Sequence, residues 1–390
     1  MNPLSRWAVA AAVASISLGA GGATPAVSAA PARLSGTLRG VVCPSASDCI
    51  VVGDSPLGSE RDTRPIVGDF NGPGWSLAPL ANPTAAPDSG HLDGVACPLP
   101  TTCFGVGFAA RSAPRALIAR WNGSAWSGVA GPAITGARGA VLDAIACPTP
   151  TKCFAVGNSS VGTKAKTLVE RWTPSGWTVA ASPSPHGTKA AASLLGIACP
   201  KPTLCFAVGG SYDRTTESTW LEQWNGTNWS TAQVPSPPKT AVDPHLAAIS
   251  CASSTNCMAV GYYIVRQKDV VNARLGIYVG AEKPIIERWN GTSWTLFPDP
   301  LPKGSKVPNE IQLNGVACPA PTLCFAVGTS LEQLGDRTLT AAWNGKTWSR
   351  YPASALGQLH AIWCRSTTQC VAVGTNSIVE KWNGSKWSGA

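Results

Sequence analysis

Apolar and polar residues alternate along this chain in short stretches that return in a fixed order. In one unit the order runs Leu142-Asp-Ala-Ile-Ala-Cys147, Cys153-Phe-Ala-Val-Gly157, Leu168-Val-Glu-Arg-Trp172 and Trp177-Thr-Val-Ala180. Alternation over about four to eight residues, bounded by Gly, Pro and Asn, predicts half-buried strands. No window carries the period of a helix. Each unit is therefore expected to form a sheet of four short antiparallel strands.

Seven such units follow one another. Their first cysteines are spaced 54, 50, 52, 52, 67 and 46 residues apart, a period typical of propeller blades. Asn-Gly stands between the third and fourth strands at Asn71, Asn122, Asn225, Asn290, Asn344 and Asn383, and the third unit has Thr173-Pro-Ser-Gly176 instead. Both residues tolerate the positive φ of tight hairpin turns. Aromatics flank each turn, as in Trp121/Trp126 and Trp343/Trp348. One four-stranded sheet cannot bury both its faces, whereas seven stacked radially can, with the aromatics filling the gaps. The expected fold is an all-β, seven-bladed β-propeller, with blades near 34–83, 84–136, 137–189, 190–241, 242–305, 306–354 and 355–390. The repeat begins and ends in phase, so no strand is expected to be borrowed between the termini, although residues 31–37 have room for a short extra pairing.

Ala-Val-Gly closing the second strand, followed by an aromatic, a turn and a Trp, resembles the kelch repeat over nearly all of residues 34–390. The Trp-Asn-Gly-x-x-Trp turn is similar to the Asp-box turn of sialidase-type propellers. The chain departs from kelch in having one Gly where kelch usually has two, and in a Cys pair per blade. The resemblance implies a propeller. It does not choose among the oxidases, lyases and binding proteins built on that fold.

The termini and composition narrow the setting. Arg6, an apolar run from Ala8 to Ala20 and small residues at Val27-Ser28-Ala29 read as a secretory signal peptide over residues 1–29, cleaved after Ala29. That run is too short to span a bilayer, which needs about 20 residues, and no later segment is long and apolar enough. Cleavage removes Arg6 and leaves 29 basic and 21 acidic residues, a net charge of +8 that is nowhere clustered. A nucleic-acid partner is therefore not expected, nor membrane insertion. A monomer is.

Fourteen cysteines fall at Cys43/Cys49, Cys97/Cys103, Cys147/Cys153, Cys199/Cys205, Cys251/Cys257, Cys318/Cys324 and Cys364/Cys370. In an exported chain this recurring spacing predicts one local disulfide per blade, stapling the first two strands. Metal sites need closer Cys spacing or paired histidines. The four histidines, at 91, 186, 245 and 360, are scattered, so neither a metal nor another cofactor is expected.

In a blade the one-to-two and three-to-four loops share one face of the ring. Here they are short and nearly identical, which marks that face as structural. The two-to-three loops and the links between blades share the opposite face and vary, as functional loops do. Three features stand out there. An insertion at 262–278 carries Tyr262, Tyr263, Arg266, Arg274 and Tyr278, suited to sugars or a protein partner. The position after the first-strand Leu varies: Arg39, Asp93, Asp143, Leu195, Ala247, Asn314 and His360. These residues enter the innermost strands near the channel mouth, where two Asp on adjacent blades and a His are raw material for acid–base chemistry or a hard-metal site, but strand alternation puts this position on the face of the Ile and Cys, where such groups would cap gaps between blades. Finally, Trp363 replaces a small residue and is expected to plug the channel or fill the seam between blades seven and one. The expected function is a secreted module that binds an extracellular glycan or protein through the variable face. The alternative is a polysaccharide hydrolase or lyase using Asp93, Asp143 and His360.

Overall fold

The computed structural model describes residues 35–389 except 46–47, 58–61, 71–74, 81–88, 111–112, 163, 186–189, 214–215, 236, 239, 273–276, 298–309, 333–334 and 353. For 190, 266–272, 277–280 and 331–332 it describes the backbone only. The expected leader lies outside the described residues.

All seven repeats form sheets of four antiparallel strands, hydrogen-bonded in sequence order. The first strands are Thr37–Val42, Ser89–Leu99, Ala137–Thr149, Ala190–Lys201, Ala241–Ser253, Ile311–Ala320 and Leu359–Ser366. Each touches the first strand of the next blade, and the last touches Thr37–Val42, so the ring closes on its innermost strands. Among the described residues no strand is exchanged between the termini. Residues 31–34 of the stretch open to an extra pairing lie outside the described residues; at Gly36 the carbonyl accepts from the Ser377 N–H at 2.7 Å and the N–H donates to Ser377 Oγ at 3.1 Å.

The core lies in the seams between blades, and it repeats. The Phe after the second cysteine inserts into the tryptophan pair of the following blade. Phe154 packs tilted on Trp224 and edge-on to Trp229, with ring centroids 5.1 and 5.4 Å away. Phe104, Phe206 and Phe325 do the same against Trp172/Trp177, Trp289/Trp294 and Trp382/Trp387. Where the sequence lacks Phe, Met258 meets Trp343 and Trp348, and Val371 closes the ring against Phe70 and Trp75. The recurrent tryptophans are thus packing elements, an arrangement that offset and edge-on aromatic geometry favours.

All seven disulfides form within their blades, each closing the first hairpin: Cys43–Cys49, Cys97–Cys103, Cys147–Cys153, Cys199–Cys205, Cys251–Cys257, Cys318–Cys324 and Cys364–Cys370. No described cysteine is free. The staples are not confined to the loop surface. The second cysteine of each pair, Cys49, Cys103, Cys153, Cys205, Cys257, Cys324 and Cys370, is at most 7% exposed. The register explains this burial. Each of these residues stands opposite the aromatic that ends the third strand: Phe70, Trp121, Trp172, Trp224, Trp289, Trp343 and Trp382 in turn. The sulfurs therefore enter the apolar core with the aromatics, as small hydrophobic groups do.

The Asn-Gly turns pack on the stapled hairpins. A Cβ on Gly226 would stand 3.3 Å from Thr203 Cβ, and Gly123, Gly291, Gly345 and Gly384 face Thr101, Thr255, Thr322 and Thr368 in the same way. The hairpins and the turns therefore share one face. The turn chemistry differs from expectation in one respect. Only the Gly takes positive φ, 99° at Gly226. The Asn acts through its side chain, with Asn225 Oδ1 accepting from the N–H groups of Thr227 and Asn228 at 2.9 Å each.

Candidate functional site

In every blade the first strand carries a β-bulge at one place. Leu38 pairs with Gly53 and Gly40 with Val52, leaving Arg39 as the extra residue. The same slip isolates Asp93, Asp143, Leu195, Ala247, Asn314 and His360. A bulge re-aims a side chain and breaks alternation. The expected placement of this position between blades is therefore corrected: all seven residues line one central cavity of about 380 Å³.

The cavity has layers that the motif Leu-x-Gly/Ala-Ile/Val writes into each blade. Below the bulged ring lies a ring of small residues, Gly40, Gly94, Ala144, Gly196, Ala248, Gly315 and Ala361. Their size lets neighbouring first strands approach. A Cβ on Gly94 would stand 3.0 Å from Ala144 Cα, and one on Gly40 3.0 Å from the Asp93 carbonyl. Beneath them Val41, Val95, Ile145, Ile197, Ile249, Val316 and Ile362 complete the lining and also belong to the apolar clusters of the seams. The bulged ring lies nearer the start of the first strands, on the side opposite the disulfide hairpins, and so opens towards the variable loops.

That mouth is two-sided. Asn314, His360, Arg39, Asp93 and Asp143, on blades six, seven, one, two and three, form a continuous polar arc, and Leu195 and Ala247 of blades four and five complete the circle. Six strand residues precede Asp143 and Ala247, whereas one precedes His360. At about 3.3 Å per residue the wall stands roughly 15 Å higher on blades three and five than on blade seven.

The polar arc is wired through Arg39. Its Nε donates to Asp54 Oδ1 at 2.6 Å, and its Nη1 lies 3.9 Å from Asp93 Oδ1. His91 Nε2 stands 3.0 Å from Asp93 Oδ2, a close approach not aligned as a hydrogen bond. Asn314 is anchored by donating from Nδ2 to the Leu359 carbonyl at 3.0 Å. Burial, reinforced by the charge of Asp93, pushes the Asp143 carboxyl up to about 8. Burial, with Arg39 beside it, pulls the His360 imidazole down to about 4. At neutral pH the mouth thus presents a protonated carboxyl and a neutral imidazole. Asp143 Oδ2 and His360 Nε2 are sealed from solvent without a hydrogen-bond partner among the described residues.

The other candidates are dispersed. None of the disulfide cysteines lines the cavity. Cys49, Cys103, Cys153, Cys205, Cys257, Cys324 and Cys370 are buried among aromatics, out of reach of a ligand at the mouth, and their part is structural. Trp363 packs in the seam between blades seven and one, in one cluster with Val41, Cys43 and Trp75, and the cavity lining ends before it, at Ile362. Seam filling, not channel plugging, is its role. The insertion at 262–278 is a long hairpin of Asn256–Asn272 and Ile277–Trp289. Tyr262 lies edge-on to His245, with centroids 4.4 Å apart, and its hydroxyl is pushed up to about 12 by burial and by Glu282 and Asp243. Tyr263 packs on the seam cluster that contains Phe206 and Trp294. The side chains of Arg266 and Tyr278, and Arg274 entirely, lie outside the described residues.

Two sets of residues escaped the sequence reading. The first comprises Asp54 and His91, partners of the arc. Asp54 directly follows the second-strand Gly, and His91 lies two positions before the bulge, so both sat in phase with the varying position. The second is four glutamates on third strands: Glu170, Glu222, Glu287 and Glu380, all at most 1% exposed. Each lies in a seam. Ser182 of blade three donates to Glu222 at 2.8 Å, Glu287 faces Thr219 of blade four, and Ser354 of blade six donates to Glu380. Both oxygens of Glu170 are without a partner among the described residues. Burial raises Glu170 to about 7 and Glu287 to about 8.

No family model and no curated protein matches the chain. Solved structures are similar in fold. A GH74 xyloglucanase from Xanthomonas campestris has a TM-score of 0.58 at 13% identity, over 90% of this chain and 53% of that one. A PL25 ulvan lyase has a TM-score of 0.57 at 9% identity, over 91% of this chain and 92% of that one. YCF48 bound to a D1 peptide has a TM-score of 0.54 at 12% identity, over 90% of this chain and 94% of that one. At such identities the likeness shows the propeller fold alone, and the kelch assignment is not confirmed by these neighbours.

Proposed function

We propose that the chain is an exported, monomeric β-propeller that binds an extracellular glycan at the mouth of its central channel, on the variable-loop face. The observation that carries this reading is the convergence of a five-residue polar arc and a two-residue apolar arc in one cavity of about 380 Å³, within the usual range of roughly 300–1,000 Å³ for small-ligand sites. Sugars have hydroxyl edges and apolar ring faces, and this mouth offers a counterpart to each. Bulges built on seven rigid sheets hold the groups in place before the ligand arrives. Seven disulfides accord with an oxidising, extracellular setting. Among the described residues no helix is long and apolar enough to cross a membrane. Two of the similar structures bear the names of polysaccharide-cleaving enzymes and a third that of a peptide-bound protein, so a peptide is the control ligand for the glycan reading.

One observation favours a second reading, a polysaccharide-degrading enzyme. Asp143 is held protonated beside Asp93, while His360 is held neutral, so an acid and a base face the same cavity. A glycan array with product detection on every sugar retained tests both readings. Retention without cleavage, weakened in Leu195→Asp, supports the binding module. Cleavage abolished in Asp143→Asn and His360→Ala supports the enzyme. No retention of any glycan overturns both.

A further inference from the structure

The charge arrangement of the mouth narrows the class of ligand, and this step rests on the glycan reading above. Arg39 is the cation of the bulged ring. Its Nε is held by Asp54 at 2.6 Å and its Nη1 already faces Asp93 at 3.9 Å. Asp93 is also approached by His91 at 3.0 Å. On the next blade stands a further carboxyl, Asp143, with one oxygen sealed from solvent and without a partner among the described residues. Among the described residues, an incoming carboxylate or sulfate would meet two carboxylates, Asp54 and Asp93, against one guanidinium whose charge is already committed to both, with Asp143 uncharged beside them. An incoming ammonium would have to settle beside that same guanidinium. An uncharged sugar meets neither obstacle, because hydroxyls both donate and accept. Arg39 supplies donors and Asp93 acceptors at the mouth, so groups of both kinds line the cavity. Opposite them, Leu195 and Ala247 offer only carbon, on the side where the wall is high, and blade four is flanked by the long strands of blades three and five.

We propose that the mouth selects an uncharged sugar residue, seated with its apolar face on Leu195 and Ala247 and its hydroxyl edge on the arc from His360 to Asp143, and that it rejects uronic, sulfated and amino sugars. The selectivity is one of exclusion: like-charge juxtaposition and unpaired buried charge count against the wrong ligands. The mildly basic protein as a whole, with a net charge of +9, would by itself favour anions. The local acidic excess at the mouth reverses that preference.

Isothermal titration of the intact, oxidised protein against three sets of oligosaccharides tests this: neutral, uronic or sulfated, and amino sugars, matched in length. Neutral sugars should bind at least about tenfold tighter than either charged set. Leu195→Asp should weaken neutral binding by a similar factor, and Asp93→Asn should relax the exclusion of uronic sugars while the thermal transition stays in place. Charged sugars binding as tightly as neutral ones would overturn the inference and leave the glycan reading standing. Binding of neutral sugars untouched by both substitutions would place the site elsewhere and overturn it too. Absence of binding in all three sets would overturn the glycan reading itself.

Discussion

The two faces of this propeller are made by the same seven repeats, yet they differ in what the repeats preserve. On one face every blade has its disulfide hairpin, and on most blades an Asn-Gly turn packs on the hairpin threonine. On the other face every blade has the same bulge, but the bulged side chain changes from blade to blade, from Arg39 to Asp143 to Leu195. Constant backbone with constant side chains is a scaffold requirement. Constant backbone with varied side chains is a presentation device: seven equivalent positions aimed at one axis and filled differently.

This contrast predicts a ladder of effects. The largest belongs to the stapled face. Each small disulfide loop restricts the unfolded chain by about 2 kcal/mol on a chain-entropy basis. Reduction of all seven should therefore abolish cooperative unfolding, and peptide mapping without reduction should recover seven Cys-x5-Cys linkages and no bridge between blades. Next come the seams. Phe154→Ala empties the slot between Trp224 and Trp229 and should cost about 3–5 kcal/mol in denaturant unfolding, with no change in ligand specificity. A loss under about 1 kcal/mol would show that the aromatic wedges do not hold the blades together.

The seam glutamates give a smaller effect with a definite sign. Burial raises two of them above the ordinary value of 4.5, Glu170 to about 7 and Glu287 to about 8. The folded state then binds more protons than the unfolded state between those limits. Their stabilising contribution is complete below about 4.5 and is lost as pH rises towards 7 to 8. Glu287→Gln should raise the unfolding free energy at pH 8 by roughly 1–4 kcal/mol relative to its effect at pH 4. An equal effect at both pH values would mean that the carboxyl titrates in the fold as it does in the unfolded chain.

At the mouth the effects on stability should be the smallest. Asp143→Asn replaces a protonated carboxyl by an amide of the same shape and should shift stability by less than about 1 kcal/mol at pH 7. Its effect should appear in pH dependence instead. Asp143 faces Asp93, Arg39 and His360, with Asp54 and His91 behind them, and it ionises near 8. Sugar affinity in the parent protein should fall as pH rises through that value, and in Asp143→Asn it should stay level.

The strands, blade count and disulfides were legible because two periods, one of two residues and one of about fifty, run through the chain without conflict. The site was only half legible. Arg39, Asp93, Asp143, Asn314 and His360 were visible as the varying position, but alternation assigned them to the seams. A single inserted residue reverses every later side chain in such an argument, and nothing in the hydrophobic pattern announces the insertion. The available hint was the Gly that follows the varying residue at Gly40, Gly94, Gly196 and Gly315, because Gly inside a strand often marks a bulge or a close approach. Glu170 carried a similar unused hint: it lies two residues from Trp172, on the packed side of its strand.

A crystal structure of the protein with its tightest neutral oligosaccharide tests the central claim most directly. The account predicts a sugar ring at the channel mouth, its hydroxyls within hydrogen-bonding distance of Arg39, Asp93 or His360 and one face against Leu195. A sugar resting on the disulfide hairpins or on the Asn-Gly turns, with the mouth holding only solvent, would contradict it.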